Sequence, residues 1–344
     1  VLRILYLGQL HYGSTALFRL NALIKLGNQV DYIDTTKNTS SLKGLLYRVL
    51  YKIKYDLDIN GDNKKLVSKI GSTNYNIIWL DKCTHITLKT LKKIKLIQPN
   101  SKIVAYSPDD MMNPANQSIQ YLASFKNYDF HITTKSYNVS ELENLGAKKV
   151  LFVEKAFDPD IHKPYNLNKD EIDEYYAEVG FIGAFEEDRF RKILFLAESG
   201  IKVVVRGNSN WLKVKDIHDN LIIKCETVLW GHEYAKALNA TKINLCFLSK
   251  ANRDLHTARS IEIPACEAFM LAERTSEHLK LFKEDKEAVF FNTPEELLAK
   301  VQYYLSNNNE RIIIAKAGRM RCIESNYTNE GRLFSILKVL QSGF

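Results

Sequence analysis

Asp254 and Glu262, with seven residues between them and Arg259 inside that interval, are the side chains of this sequence best suited to chemistry. The stretch Asp254-Leu255-His256-Thr257-Ala258-Arg259-Ser260-Ile261-Glu262 follows an apolar, strand-like run at 243–247 and precedes another at 269–272. It therefore sits where a strand gives way to a loop and a helix, and open α/β sheets bind ligands at the carboxyl ends of their strands. A guanidinium there presents a rigid fork of donors that suits phosphate, and carboxylates there accept hydrogen bonds from sugar hydroxyls. Each residue also has a plainer reading. Glu262 could be a first-turn acid favoured by the helix dipole, worth ~0.3–1 kcal/mol. Arg259 could pair with Glu262, and Asp254 could be a solvated turn acid.

The elements that must position these groups repeat in two series. Short apolar runs at 2–7, 29–33, 77–80, 103–106, 130–133 and 150–153 read as strands of a parallel sheet covered on both faces. Between the first two, Leu17, Leu20 and Ile24 share one helical face, with Gly27 as the C-terminal stop. Asp158-Pro159 and Lys163-Pro164 then interrupt regular structure, and the polar run 166–170 reads as a linker. Strand-like runs resume at 178–182, 203–205, 221–223, 243–247, 269–272 and 289–291. Helices are expected at 293–306, capped by Thr293 with Pro294 and Glu296 behind it, at 310–325, and at 329–341. The pattern predicts an α/β protein of two Rossmann-like domains whose parallel sheets face across a cleft. Domain one spans 1–157, the linker 158–170 and domain two 171–326; the segment 327–344 is expected to pack back on domain one.

The first half offers fewer reactive groups. Gly13-Ser14-Thr15 follows the first strand and would let backbone N–H groups approach a phosphate or sugar, or would simply make a tight turn. Asp109 and Asp110 follow the fourth strand, where paired acids can hold hydroxyls or move protons, or cap a turn after Pro108. Neither shows the spacing of a divalent-metal site. Arg19 is expected at the surface. His11, His85 and His131 are lesser candidates for a ligand-facing edge.

Net charge of +8 favours anionic partners without choosing among them. The five cysteines are scattered without a Cys-x-x-Cys pair, which argues for buried thiols in a reducing compartment and against zinc. Neither a signal peptide nor an uninterrupted apolar run of about 18 residues is visible. Basic residues are not interleaved with aromatics in a nucleic-acid motif, so nucleic acid is not an expected partner. Residues 42–55 gather Leu42, Leu45, Leu46, Val49, Leu50 and Ile53 on one helical face among Lys43, Arg48, Lys52 and Lys54, with no acid. Such a helix either packs on a core or lies on an anionic membrane surface. The basic run 89–95 adds to the same potential.

Thr257-Ala258-Arg259-Ser260-Ile261-Glu262-Ile263-Pro264-Ala265-Cys266, followed by Leu271-Ala272-Glu273-Arg274-Thr275, Glu287-Ala288-Val289-Phe290-Phe291 and Ala317-Gly318-Arg319, resembles the group 1 retaining glycosyltransferases of GT-B type, nearest their CgeB-like branch. Gly13-Ser14-Thr15 and Ala156-Phe157-Asp158-Pro159 fit the same resemblance. It implies metal-independent transfer of a sugar from a nucleotide-diphosphate sugar, with a UDP-sugar favoured and no cofactor. The acceptor would be a saccharide or a lipid- or protein-linked glycan, in surface polysaccharide or envelope glycan synthesis. By this likeness Glu262 binds the ribose, Asp254 the transferred sugar, and Arg189 and Arg259 the diphosphate. Thr257, Gly13 and Ser14 complete the donor set, and Asp109 and Asp110 lie on the acceptor side. Asp254 stands where relatives carry Glu, and Glu267 where many carry Gly. A cytoplasmic enzyme is implied, peripheral on the inner membrane face if the 42–55 helix binds lipid. A nucleotide-sugar epimerase of the same build and a catalytically inactive scaffold in coat assembly are the alternatives.

Overall fold

The computed structural model describes residues 1–38, 42–225 and 228–342. It divides into two compact units, the first made of Val1–Glu154 with Asn329–Phe344 and the second of Lys155–Thr328. Residues 343–344 of the expected C-terminal segment lie outside the described residues.

All twelve expected strands form. The first unit holds β1 (Arg3–Gly8), β2 (Gln29–Asp34), β3 (Ile77–Asp81), β4 (Lys102–Ser107), β5 (Phe130–Thr133) and β6 (Val150–Phe152). The second holds β7 (Ala177–Ile182), β8 (Val203–Arg206), β9 (Leu221–Ile223), β10 (Thr241–Cys246), β11 (Met270–Glu273) and β12 (Val289–Phe291). Every pairing is parallel, in the orders β2-β1-β3-β4-β5-β6 and β12-β11-β10-β7-β8-β9. In each sheet the chain leaves its first strand in one direction and later returns to that strand's other side. This creates a switch point between β1 and β3, and another between β7 and β10, where the loops at the carboxyl edge diverge and leave a crevice.

Alternate residues of the inner strands bury opposite faces. Leu5, Leu7, Ile78, Leu80 and Ile103 pack with Leu66, Leu91 and Ile94 of the helices Asp62–Ser72 and Leu88–Ile97. Ile4, Tyr6, Ile77, Trp79 and Val104 pack with Leu20 and Leu23 of Thr15–Lys25 and with Leu333, Ile336, Leu337 and Leu340 of Asn329–Ser342. In the second unit Val179, Phe181, Ile243, Leu245 and Leu271 face Ile193, Leu297 and Val301. The polar run after the second proline is partly helical: Asn168 and Glu171 cap each other's backbone N–H groups and start the helix Lys169–Tyr175.

The helix Arg259–Ala265 ends on Glu267, whose φ of 57° is left-handed. Glu267 N–H reaches Pro264 O at 2.8 Å and Ala268 N–H reaches Ile263 O at 3.2 Å, the paired bonds of a Schellman stop. That geometry favours a glycine at this position, because a Cβ is disfavoured at a positive φ. Glu267→Gly should raise unfolding free energy by about 0.5–1 kcal/mol, the cost of a side chain at φ > 0 less the entropy glycine loses. Urea unfolding of the two proteins checks the sign.

Candidate functional site

The switch point between β7 and β10 gathers the cationic groups. Arg189, early in the helix Glu187–Glu198 that follows β7, is 4% exposed. Its Nε donates to Leu248 O at 3.3 Å, Nη1 donates to Ala184 O at 3.0 Å, and Nη2 pairs with Glu186 at 2.9 Å. Arg259, at the first residue of the helix after β10, donates from Nη2 to Phe247 O at 3.1 Å. Both guanidiniums lie over the Phe181 ring, with Cζ at 5.8 Å for Arg189 and 5.4 Å for Arg259. A Cβ on Gly183 would come within 2.9 Å of Arg259 Nη1, so glycine there admits the guanidinium. Burial, then the nearby charge of Arg259, pulls the Arg189 pKa below its usual value. Arg259 forms no ion pair with Glu262, and its Nε is buried without a hydrogen-bond partner. Two cations tethered mainly by carbonyl oxygens, one with a donor unspent, suit an anionic ligand.

Glu262, one helical turn further on, is 7% exposed. Tyr234 OH donates to its Oε2 at 2.9 Å, and His162 Nε2 stands 3.8 Å from Oε1. His162 Nδ1 accepts Asp158 N–H at 3.0 Å, which puts the ring proton on Nε2, toward Glu262. A carboxylate has about four acceptor positions, so Glu262 is oriented with capacity left for a ligand hydroxyl. Asp254 closes its own loop: Ser249 N–H donates to Oδ2 at 3.2 Å and Asp254 N–H to Ser249 O at 3.0 Å. Its charge is near enough to Arg189 to raise that group's pKa, opposing the burial effect. Thr257 N–H donates to Ser260 Oγ at 2.9 Å, and Ser260 Oγ in turn meets His278 Nε2 at 2.7 Å. Because His278 Nδ1 faces Glu273 O at 2.6 Å, Nδ1 carries the proton and Nε2 accepts from Ser260. His256 accepts Lys155 N–H at 2.9 Å and pairs through Nδ1 with Glu277. This buried chain pins the 256–260 turn that aims Arg259.

In the first unit, Gly13 (φ 77°) turns the chain and Ser14 caps the helix Thr15–Lys25, accepting Leu17 N–H at 3.2 Å and donating to Gln9 O at 2.7 Å. Arg19 is not at the surface. It is 6% exposed, bonds both oxygens of Asp81 at 2.7 and 2.9 Å, and lies 4.4 Å over the Tyr106 ring. The helix turns this residue toward the sheet, where Tyr6 OH also donates to Asp81 at 2.5 Å. Asp109 pairs with Lys82. Asp110 is 1% exposed; its Oδ1 accepts Met112 N–H and Asn138 Nδ2 at 2.9 Å each, which anchors the loop after β4.

His131 and His85 are buried and His11 is exposed. His131 Nε2 meets Phe125 O at 3.1 Å, inside an aromatic cluster. Asp58, Asp62 and His85 bring ligand-type atoms within 4.8 Å of one another. Their bonds are already accounted for as a helix start: Asp58 accepts Asp62 N–H at 2.7 Å and Asn63 N–H at 2.9 Å, and His85 meets Asp62 at 3.1 Å. All five cysteines are buried and unbridged.

Sequence spacing missed Tyr234, His162 and His278, which come from separate elements that no local periodicity links, whereas Ser260 lay within the stretch already singled out.

A model of the family described as "Glycosyl transferase-like" matches residues 189–338. No curated protein matches the sequence. Solved structures with the same fold include sucrose-phosphate synthase from Thermosynechococcus elongatus, 12% identical over 99% of both chains with a TM-score of 0.69. Anabaena Alr3699/HepE in complex with UDP-glucose is 13% identical over 99% of this chain and 100% of that one, with a TM-score of 0.66. An α-glucosyltransferase in complex with UDP and a 13-mer DNA is 12% identical over 99% of both chains, with a TM-score of 0.68. The chain has the GT-B fold, and the match over 189–338 supports a glycosyltransferase.

Burial lowers the pKa values of His131 and His278 from 6.5 to about 4. The unfolded imidazoles gain protons as pH falls through 6.5, while the folded ones stay neutral down to about 4. Stability is therefore complete above pH 6.5 and declines between 6.5 and 4, by up to about 3 kcal/mol per histidine. Urea midpoints measured across this range should fall, and His278→Gln should flatten the decline.

Proposed function

We infer that the protein is a retaining glycosyltransferase that takes its sugar from a UDP-sugar or a similar nucleotide-diphosphate sugar. The observation that carries this reading is the guanidinium pair over Phe181 at a carboxyl-edge switch point, with Arg259 Nε unspent. In this reading Arg189 and Arg259 hold the diphosphate, Glu262 takes the ribose hydroxyls and Asp254 meets the transferred sugar. Thr257 belongs to the same donor-binding turn. Gly13, Ser14, Asp109 and Asp110 belong to the carboxyl edge of the first sheet, with Asp110 and Ser14 holding its loops. The acceptor is a saccharide or glycoconjugate of the cell surface or envelope. We assign the protein to the cytoplasm, where its five buried thiols would stay reduced.

In the reaction, the acceptor hydroxyl oxygen bonds to the anomeric carbon as that carbon's bond to the diphosphate oxygen breaks. The hydroxyl proton passes to the departing diphosphate on the same face, so configuration is kept and no enzyme nucleophile is needed. Negative charge grows on the leaving oxygen, and cations fixed beforehand stabilise that transition state more than the ground state.

Arg259→Ala should lower turnover by about 10²-fold or more if the group meets the developing charge. Unchanged transfer in a folded variant would remove it from the site. Glu262→Gln should weaken UDP binding in calorimetry, and wild-type affinity would end the ribose assignment. NMR analysis of products with UDP-sugar and no acceptor separates transfer from epimerisation.

A further inference from the structure

The helix Leu42–Lys52 packs against its own unit through the face opposite its leucines. Gly44 is buried, Tyr47 lies under Lys37 Nζ at 4.3 Å, and Tyr51 OH donates to Ala115 O at 3.2 Å. The helix ends in a second Schellman stop, with Lys54 N–H on Tyr51 O at 3.0 Å and Tyr55 N–H on Leu50 O at 3.1 Å. Lys54 O then accepts Ile119 N–H at 2.8 Å. The element is thus firmly placed, yet Leu42, Leu45, Leu46, Val49 and Ile53 are 51–87% exposed. Core packing, one of the two readings of this stripe, does not occur.

At 3.6 residues per turn the five apolar positions span an arc of about 100°. Lys43 flanks one side of it, and Arg48 and Lys52 flank the other. No acid occurs from 42 to 55. Ile119, whose N–H bonds Lys54 O at the end of this helix, is also exposed. A contiguous apolar stripe left in water marks a contact surface. Cations on both flanks select a partner that is apolar beneath and anionic on top, and would repel the same face of a second copy.

We propose that this helix docks the protein on an anionic phospholipid surface, with the leucine stripe in the acyl boundary and Lys43, Arg48 and Lys52 at the headgroups. The helix follows β2 and is bonded to the loop after β4, so it stands at the carboxyl edge of the first sheet, the edge that carries Gly13 and Asp109. The bilayer therefore lies beside the acceptor edge, and the acceptor is a membrane-borne, lipid-linked saccharide. This second step rests on the glycosyltransferase reading; the docking does not.

Flotation of the full chain with vesicles tests both. The chain should float with mixed phosphatidylglycerol and phosphatidylcholine vesicles, and far less with phosphatidylcholine alone. Leu45→Glu combined with Val49→Glu should cut partitioning by about tenfold or more. Replacing Lys43, Arg48 and Lys52 by Gln should cut it about fivefold per charge at low salt. Circular dichroism and stabilisation by UDP should be unchanged in all of these. Absence of binding to the anionic vesicles, or equal binding by the double glutamate variant, overturns the docking. A dimer that the double variant disperses, without vesicle binding, overturns it in favour of a second copy. Vesicle binding by a chain that UDP does not stabilise keeps the docking and removes the lipid-linked acceptor.

Discussion

A parallel strand can be followed by another only if the chain crosses back over the sheet, so every strand end of one kind falls on one edge. That constraint governs both units. It puts the turns after β7 and β10 side by side, and so brings Gly183, Arg189, Phe247, Leu248 and Arg259 together from distant parts of the sequence. In the first unit the same constraint brings the turns after β1, β3 and β4 to one edge.

The two switch points are filled differently. Between β1 and β3, Arg19 spends both arms of its fork on Asp81, with Tyr6 and Tyr106 around them. A buried guanidinium that has its carboxylate is satisfied and has little left to offer a ligand. Between β7 and β10, two guanidiniums share one aromatic ring and are bonded chiefly to carbonyl oxygens, with Glu186 supplying a carboxylate to Arg189. Carbonyl dipoles fix direction without cancelling charge. That difference is why we propose the second crevice, and not the first, as the anion site.

Beside the His256–Glu277 pair, rigidity at the second crevice comes from neutral groups. His278, Ser260 and the Thr257 amide form a chain in which each donor has one acceptor, and burial keeps the imidazole uncharged. Tyr234 orients Glu262 in the same way. These uncharged anchors help hold the turn and the acid in place without adding charge of their own.

Most strands were legible from residue order, because a strand buried on both faces needs a short, near-continuous apolar run bounded by turn residues; apolar runs such as 193–197 fell in helices instead. The stretch 254–262 was legible as a loop and helix start for a related reason: it lies between two such runs. Arg259 and Glu262 could be singled out there by residue type, but not the partners that orient them, since Tyr234, His162 and His278 converge only through the crossovers. Arg19 and the leucine stripe mark the same boundary. Helical periodicity states which residues share a face, whereas the direction that face points depends on what else competes for the sheet. Asp81 and Tyr106 drew Arg19 inward, and Gly44, Tyr47 and Tyr51 took the inner side of the 42–52 helix. The leucines were left in solvent because periodicity is a property of one segment, and burial is a property of the neighbours it meets.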